Sequence, residues 1–116
     1  MITIYHNPRC RKSREGLQLV ESSGIPFEVR LYLKDPLTKK ELQSILKELG
    51  LPAEALLRKN EAIWKSNYKG KSLSEDAIIA AMVAIPALIE RPIVSDGRHA
   101  VIGRPGEKIS EFLATI

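Results

Sequence analysis

The chain has a single cysteine, Cys10, in 116 residues, so no disulfide can close within it and no metal site can rest on several thiolates. Aromatic residues make up only 5%, too few for the stacking rows with which single strands of nucleic acid are held. No stretch approaches the roughly 18 consecutive apolar residues of a membrane-spanning helix. The opening Met1-Ile2-Thr3-Ile4-Tyr5 lacks the charged start and long apolar run of a secretory signal, which makes the cytoplasm the expected compartment. The two isolated histidines, His6 and His99, make no zinc spacing, and the G-x-x-x-x-G-K-[ST] phosphate loop is absent. Neither a metal, nor a nucleic acid, nor a membrane is therefore expected. Without repeats or low-complexity tracts, a chain that is 44% hydrophobic and 28% charged reads as one globular domain over residues 1–116.

What is there is unevenly placed. The balance of 18 Lys+Arg against 14 Asp+Glu gives +4, and most of that excess lies in residues 1–16, where Arg9, Arg11, Lys12 and Arg14 face only Glu15. Cys10 sits in the middle of this segment. A small anionic ligand fits such local charge better than a nucleic acid does.

The element pattern supplies a frame. Ile2–Tyr5 reads as a short strand broken by His6-Asn7-Pro8. A helix is predicted from Cys10 or Arg11, with Leu17 and Val20 on one face and Gly24 as its stop. Phe27, Val29, Leu31 and Leu33 alternate with Glu28, Arg30 and Tyr32, which predicts a half-buried strand. Strand, helix, strand in this spacing is a βαβ unit with parallel strands.

The middle of the chain is predicted helical. Thr38-Lys39-Lys40-Glu41 reads as a capping box ahead of Leu42, Ile45, Leu46 and Leu49, with Gly50 closing the helix. Pro52 suits the first position of a further helix. Ser72-Leu73-Ser74-Glu75 is a second capping-box candidate, ahead of Ile78, Ile79 and Met82. Ile93-Val94, Asp96-Gly97 and Ala100–Ile102 then predict a hairpin, and Ile109, Phe112 and Leu113 a last helix. The order βαβ, helical insertion over about 38–90, ββα gives an α/β fold with a mixed sheet, the arrangement of a thioredoxin-like domain.

Cys10 opens a helix, where unpaired backbone N–H groups and the positive end of the macrodipole favour a thiolate. An exposed cation at about 4 Å contributes on the order of 1 kcal/mol in water, so the neighbouring arginines alone cannot ionise the thiol. Ser13 or a backbone N–H as donor, and His6 if it is protonated and close, are expected to supply the rest. Cys10-Arg11-Lys12-Ser13 has the spacing of a C-x-x-C motif with serine as the second member, so no resolving thiol is present. The cysteine-phosphatase loop is excluded, because Gly16 stands where its arginine belongs.

His6-Asn7-Pro8-Arg9-Cys10, followed by Ser13 and Arg14, resembles the active-site motif of the glutaredoxin-dependent arsenate reductases, and in its Arg11-Lys12 a subgroup of short relatives. Leu56-Leu57-Arg58-Lys59-Asn60, Arg91-Pro92-Ile93-Val94 and Gly103-Arg104-Pro105 extend the resemblance over nearly the whole chain. It implies a thioredoxin-like fold with a four-stranded sheet. It also implies that Cys10 attacks arsenate, that glutathione attacks the adduct as co-substrate, and that glutaredoxin completes reduction to arsenite. No tightly bound cofactor is implied. By the same resemblance Arg58, Arg91 and Arg104 hold the oxyanion, His6 and Ser13 tune the nucleophile, and Asn7, Arg14 and Pro92 support them, with Arg91-Pro92 a candidate cis peptide.

Two other functions compete. A related branch of this fold comprises redox-responsive transcription regulators that bind RNA polymerase, but these carry a C-x-x-C switch and lack the arginine set. A glutathione-linked thiol-disulfide oxidoreductase would need Cys10 and not the distant arginines.

Overall fold

The computed structural model describes residues 1–68, 70 and 72–116. In chain order it comprises β1 (Ile2–Tyr5), α1 (Arg11–Ser22), β2 (Phe27–Arg30), α2 (Lys39–Leu49), α3 (Ala53–Leu56), α4 (Ala62–Tyr68), α5 (Glu75–Ala84), a 3-10 turn over Pro86–Leu88, β3 (Ile93–Ser95), β4 (Ala100–Ile102) and α6 (Glu107–Leu113). The four strands form one mixed sheet in the order β2-β1-β3-β4. β1 runs parallel to β2 and antiparallel to β3, and β3 pairs antiparallel with β4. This is the α/β, thioredoxin-like arrangement the sequence predicts, with the helices α2 to α5 inserted between its halves.

Alternation along the strands gives the sheet two apolar faces. Ile2, Ile4 and Val94 pack with Val20 of α1 and Ile109, Phe112 and Leu113 of α6. Ile93 and Ala100 point the other way, into a cluster with Leu42, Ile45, Leu56, Met82 and Leu88 from the insertion. Trp64 joins that cluster and stacks on Tyr68 at a centroid distance of 4.7 Å. The helix signals act as expected at α2. Thr38 and Glu41 form a reciprocal capping box, and Gly50 ends the helix at φ +67°, a left-handed conformation that a side chain would resist.

Three local expectations are corrected. The strand predicted to reach Leu33 stops at Arg30, because the Leu31 carbonyl accepts from the N–H groups of both Lys34 and Asp35 and turns the chain out of the sheet. The alternation holds only in part: Phe27 and Leu31 are half-buried, but Val29 and, beyond the turn, Leu33 are exposed and Tyr32 is buried. At α5 the cap is Ser74, whose hydroxyl accepts from the Ala77 N–H, and not Ser72. Pro52 stands just before α3 rather than at its first position.

Candidate active site

Sheet register assembles the site. Tyr5 ends β1 opposite Ile93, and Ile93 is also opposite Ile102, so the segments His6–Cys10, Arg91-Pro92 and Gly103-Arg104 leave the sheet side by side. The Gly103 N–H donates to the Pro92 carbonyl at 2.8 Å and fastens two of these loops together. Arg91-Pro92 is cis, as anticipated, and so is Arg104-Pro105, which was not. A fourth segment arrives from the insertion. Leu57 bridges Ile89, the Arg58 N–H donates to the Leu88 carbonyl at 2.7 Å, and the Glu90 N–H donates to the Leu56 carbonyl at 2.8 Å. Arg58 is thus carried to the chain that enters Arg91.

The cysteine loop is organised by Asn7 and Ser13. Asn7 Oδ1 accepts from the Arg9 N–H at 3.0 Å, and its carbonyl accepts from the Cys10 N–H at 3.0 Å. Ser13, fully buried, accepts from the Asn7 N–H at 2.9 Å and shares a 2.7 Å hydrogen bond with His6 Nδ1. Arg14 Nη1 donates to the Pro8 carbonyl at 2.9 Å and closes the loop from outside. These bonds leave Cys10, half-buried and extended, at the N-cap position of α1.

Burial pushes the Cys10 thiol up, but the Ser13 backbone N–H and the Arg91 and Arg104 guanidiniums together outweigh it and hold the thiol below its ordinary range. Arg104 Nη2 stands 3.4 Å from the sulfur. Of the two expected donors, the Ser13 hydroxyl is engaged by His6 and Asn7, and the backbone N–H is the one that bears on the sulfur. One expected contributor is corrected. His6 is buried, and burial first, with the Arg14 charge, depresses its basicity, so a neutral imidazole and not a protonated one sits here. Nor do the adjacent cations serve: Arg11 and Lys12 extend into solvent against Glu15, with Arg11 83% exposed.

The three arginines converge, in unequal roles. Arg104 Nε donates to the Arg91 carbonyl at 2.9 Å, which aims its other nitrogen at Cys10. Arg91, only 12% exposed, donates from Nη1 to the Ala87 carbonyl at 3.2 Å. Arg58 is one step removed from the sulfur and is held by carboxylates, donating from Nε to Glu61 at 3.0 Å and from Nη1 to Glu90 at 2.6 Å. Glu90 Oε1 also lies 3.3 Å from Arg104 Nε and accepts from the Arg91 N–H at 3.2 Å, so one oxygen gathers all three arginine-bearing segments.

Glu61 and Glu90 escaped the reading of the sequence. The available signals were weak: Glu61 stands three residues after Arg58, and Glu90 directly precedes Arg91. Their presence changes the electrostatics. Three guanidiniums against two carboxylates leave one net positive charge around the thiol form and none around the thiolate. The cluster is a rack of oriented donors more than a pool of positive charge. Among the described residues, no group of three His, Cys, Asp or Glu side chains could hold a metal ion, and no helix is long and apolar enough to cross a membrane.

A thiol of lowered pKa at a helix start, beside a cis-proline on a four-stranded mixed sheet, defines a thioredoxin-like thiol protein, here with an arginine cluster added. The chain belongs to the ArsC family, whose model matches residues 5–112. It is 44% identical over 114 residues to a Haemophilus influenzae protein named arsenate reductase, covering 97% of this chain and 98% of that one. It is 47% identical to the uncharacterized protein YfgD of Escherichia coli K12, over 97% and 96% of the two chains. The solved structure of an arsenate reductase from Vibrio cholerae superimposes with a TM-score of 0.89 at 45% identity, over 95% of each chain.

Proposed function

We propose that the chain is a thiol-dependent arsenate reductase in which the Cys10 thiolate is the nucleophile. The observation that carries the reading is the 3.4 Å approach of Arg104 Nη2 to the Cys10 sulfur within a cluster of three arginines. Thiolate chemistry on a dianionic oxyanion faces charge repulsion, and guanidiniums that touch both partners offset it. The sulfur attacks arsenic, an S–As bond forms, and one arsenate oxygen leaves as water. Arsenic remains pentavalent at that stage.

The electrons must come from other thiols, because Cys10 has no partner cysteine in the chain. A glutathione thiolate attacks the Cys10 sulfur of the adduct, and an S–S bond forms. The S–As bond breaks with its electron pair left on arsenic, which departs as arsenite, and glutaredoxin then resolves the Cys10–glutathione mixed disulfide and frees the thiol. Per turnover two thiols become one disulfide and arsenate becomes arsenite. Arg58, Arg91 and Arg104 hold the oxyanion oxygens in this scheme, while Ser13 and the neutral His6 fix the loop and so act through position. The regulator reading is less well supported, since the second position of the C-x-x-C spacing is Ser13, buried and bonded to His6.

The test is arsenate-dependent NADPH consumption coupled through glutathione, glutaredoxin and glutathione reductase. Cys10→Ser is expected to abolish turnover, and Arg58→Ala or Arg91→Ala to weaken it. Full activity in Cys10→Ser would remove the nucleophile. Reduction of a protein mixed disulfide that survives loss of all three arginines would favour the oxidoreductase reading instead.

A further inference from the structure

Among the described residues, two buried side-chain polar atoms have no hydrogen-bond partner: the Tyr32 hydroxyl and Arg91 Nε. Buried polar groups are paired in the great majority of cases, so each orphan asks for a reason. The His6 N–H donates to the Arg30 carbonyl at 3.0 Å, so the turn that carries Tyr32 leaves the sheet beside the cysteine loop, and Arg91 bears on the same thiol. The charged groups that bear on the Tyr32 hydroxyl are Arg91, Cys10, Arg58 and Glu90.

Tyr32 is 1% exposed and its ring packs in the cluster that also holds Leu37, Leu88 and Ile89. Packing alone would be served by phenylalanine, without the cost of an unpaired hydroxyl. Burial also pushes this phenol up to about 12, so it remains protonated at neutral pH and available as a donor. Arg91 Nε is a donor too, and its Nη1 is already committed to the Ala87 carbonyl. Two unpaired donors beside a thiolate want a ligand that brings acceptors only, which an ionised oxyanion does and a neutral hydroxylated product does less well.

We propose that Tyr32 is an oxyanion-binding residue: its hydroxyl and Arg91 Nε donate to oxygens of the tetrahedral anion that meets Cys10. This rests on the reading of the site as an arsenate-reducing one and adds to it a residue from the turn after β2. The donor set favours the ionised substrate over uncharged arsenite, which would aid release of product.

The experiment is protection of Cys10 from iodoacetamide by arsenate, phosphate or sulfate, in the wild type and Tyr32→Phe. Each protein's alkylation rate without anion serves as its own reference, and the variant should show an equal or higher unfolding midpoint, because it loses an unpaired hydroxyl. Its protection constant should weaken by about tenfold to a hundredfold, the range for a hydrogen bond to a charged group. In the coupled assay the arsenate KM should rise more than kcat falls. Equal protection in the two proteins would overturn the inference while leaving wild-type arsenate turnover to support the function. Protection weakened by Tyr32→Phe in a protein that never reduces arsenate would uphold the oxyanion contact and refute the function. Failure of all three anions to protect the wild type would overturn the contact. In the otherwise native chain, 3-fluorotyrosine at position 32 should show a fluorine resonance that moves on adding sulfate, and an unmoved resonance counts against the contact.

Discussion

Gly16 of α1 lies against the ring of Pro92, so close that a Cβ on Gly16 would stand 2.6 Å from Pro92 Cγ and 3.0 Å from Ile109 Cδ1. Gly103 meets the same two side chains, its notional Cβ being 2.5 Å from Ile109 Cδ1 and 3.0 Å from Pro92 Cγ. The two glycines let the cis-proline loop settle onto the helix that Cys10 begins. The position of Arg91 relative to the sulfur follows from that fit.

Gly16→Ala tests it. In an open helix the change would stabilise by up to about 1 kcal/mol. Here the proline ring cannot swing aside as a flexible side chain could, and overpacking of this kind typically costs about 1–3 kcal/mol. A net loss of stability is expected in urea denaturation, together with slower oxyanion-dependent turnover as the loop shifts. A stabilised, fully active variant would show that the contact relaxes freely.

The Arg104 contact predicts how the thiol titrates. Alkylation by iodoacetamide follows the thiolate, so its rate should reach half its plateau below the ordinary thiol range near 8.5. Arg104→Ala removes the guanidinium at 3.4 Å and should move that midpoint upward. The same shift has a stability counterpart. Between the lowered folded value and the unfolded one, the unfolded chain binds more protons, so stability contributed by Cys10 grows as pH rises through that window and is lost as pH falls through the folded value. Identical alkylation profiles for wild type and Arg104→Ala would show that this guanidinium does not govern the sulfur.

Much of this was legible in the chain itself, for reasons that differ by element. The capping box at Thr38, the stop at Gly50 and the hairpin about Asp96-Gly97 are local signals, and each formed where the residues indicate. β2 was misread because period-two alternation continued through Leu33, whereas the turn at Leu31 depends on backbone hydrogen bonds that leave no periodic trace. The site divides along the same line. Cys10 is visible as a lone thiol at a helix start, and Arg58, Arg91 and Arg104 through the family resemblance. The contacts that orient them join residues up to 94 positions apart, as between Arg104 and Cys10, and spacing carries no record of these. Local charge misled in the opposite sense: Arg11 and Lys12 adjoin the cysteine in sequence and extend away from it in space.

His6 predicts an acid-side loss of stability. Its folded basicity is depressed, chiefly by burial, while in the unfolded chain it takes up a proton near pH 6.5. Below that value the unfolded state binds the extra proton, so stability should fall as pH drops toward the folded value. His6→Asn keeps a polar side chain near Ser13 but does not titrate, and should flatten this part of the curve. Urea midpoints collected from about pH 8 to pH 5 would show it. An unchanged slope in His6→Asn would assign the acid sensitivity to other groups.

Glu90 separates charge from scaffolding. Glu90→Gln retains an oxygen that can accept from Arg58 Nη1 and the Arg91 N–H but removes a negative charge from beside Arg104. With one anionic neighbour fewer, the Cys10 thiolate is favoured further, and the alkylation midpoint should move to lower pH. Sulfate protection should strengthen for the same reason. Glu90→Ala also deletes the acceptor: among the described residues Arg58 Nη1 then has no protein partner, Glu61 still accepting only from Arg58 Nε, while Arg104 Nε keeps the Arg91 carbonyl. Loss of a hydrogen bond between charged groups is worth about 1.5–3 kcal/mol, and with the guanidiniums released arsenate turnover should drop by about tenfold or more. If the glutamine and alanine variants shift the thiol midpoint and turnover alike, Glu90 acts through its charge alone and does not set the geometry of the arginines.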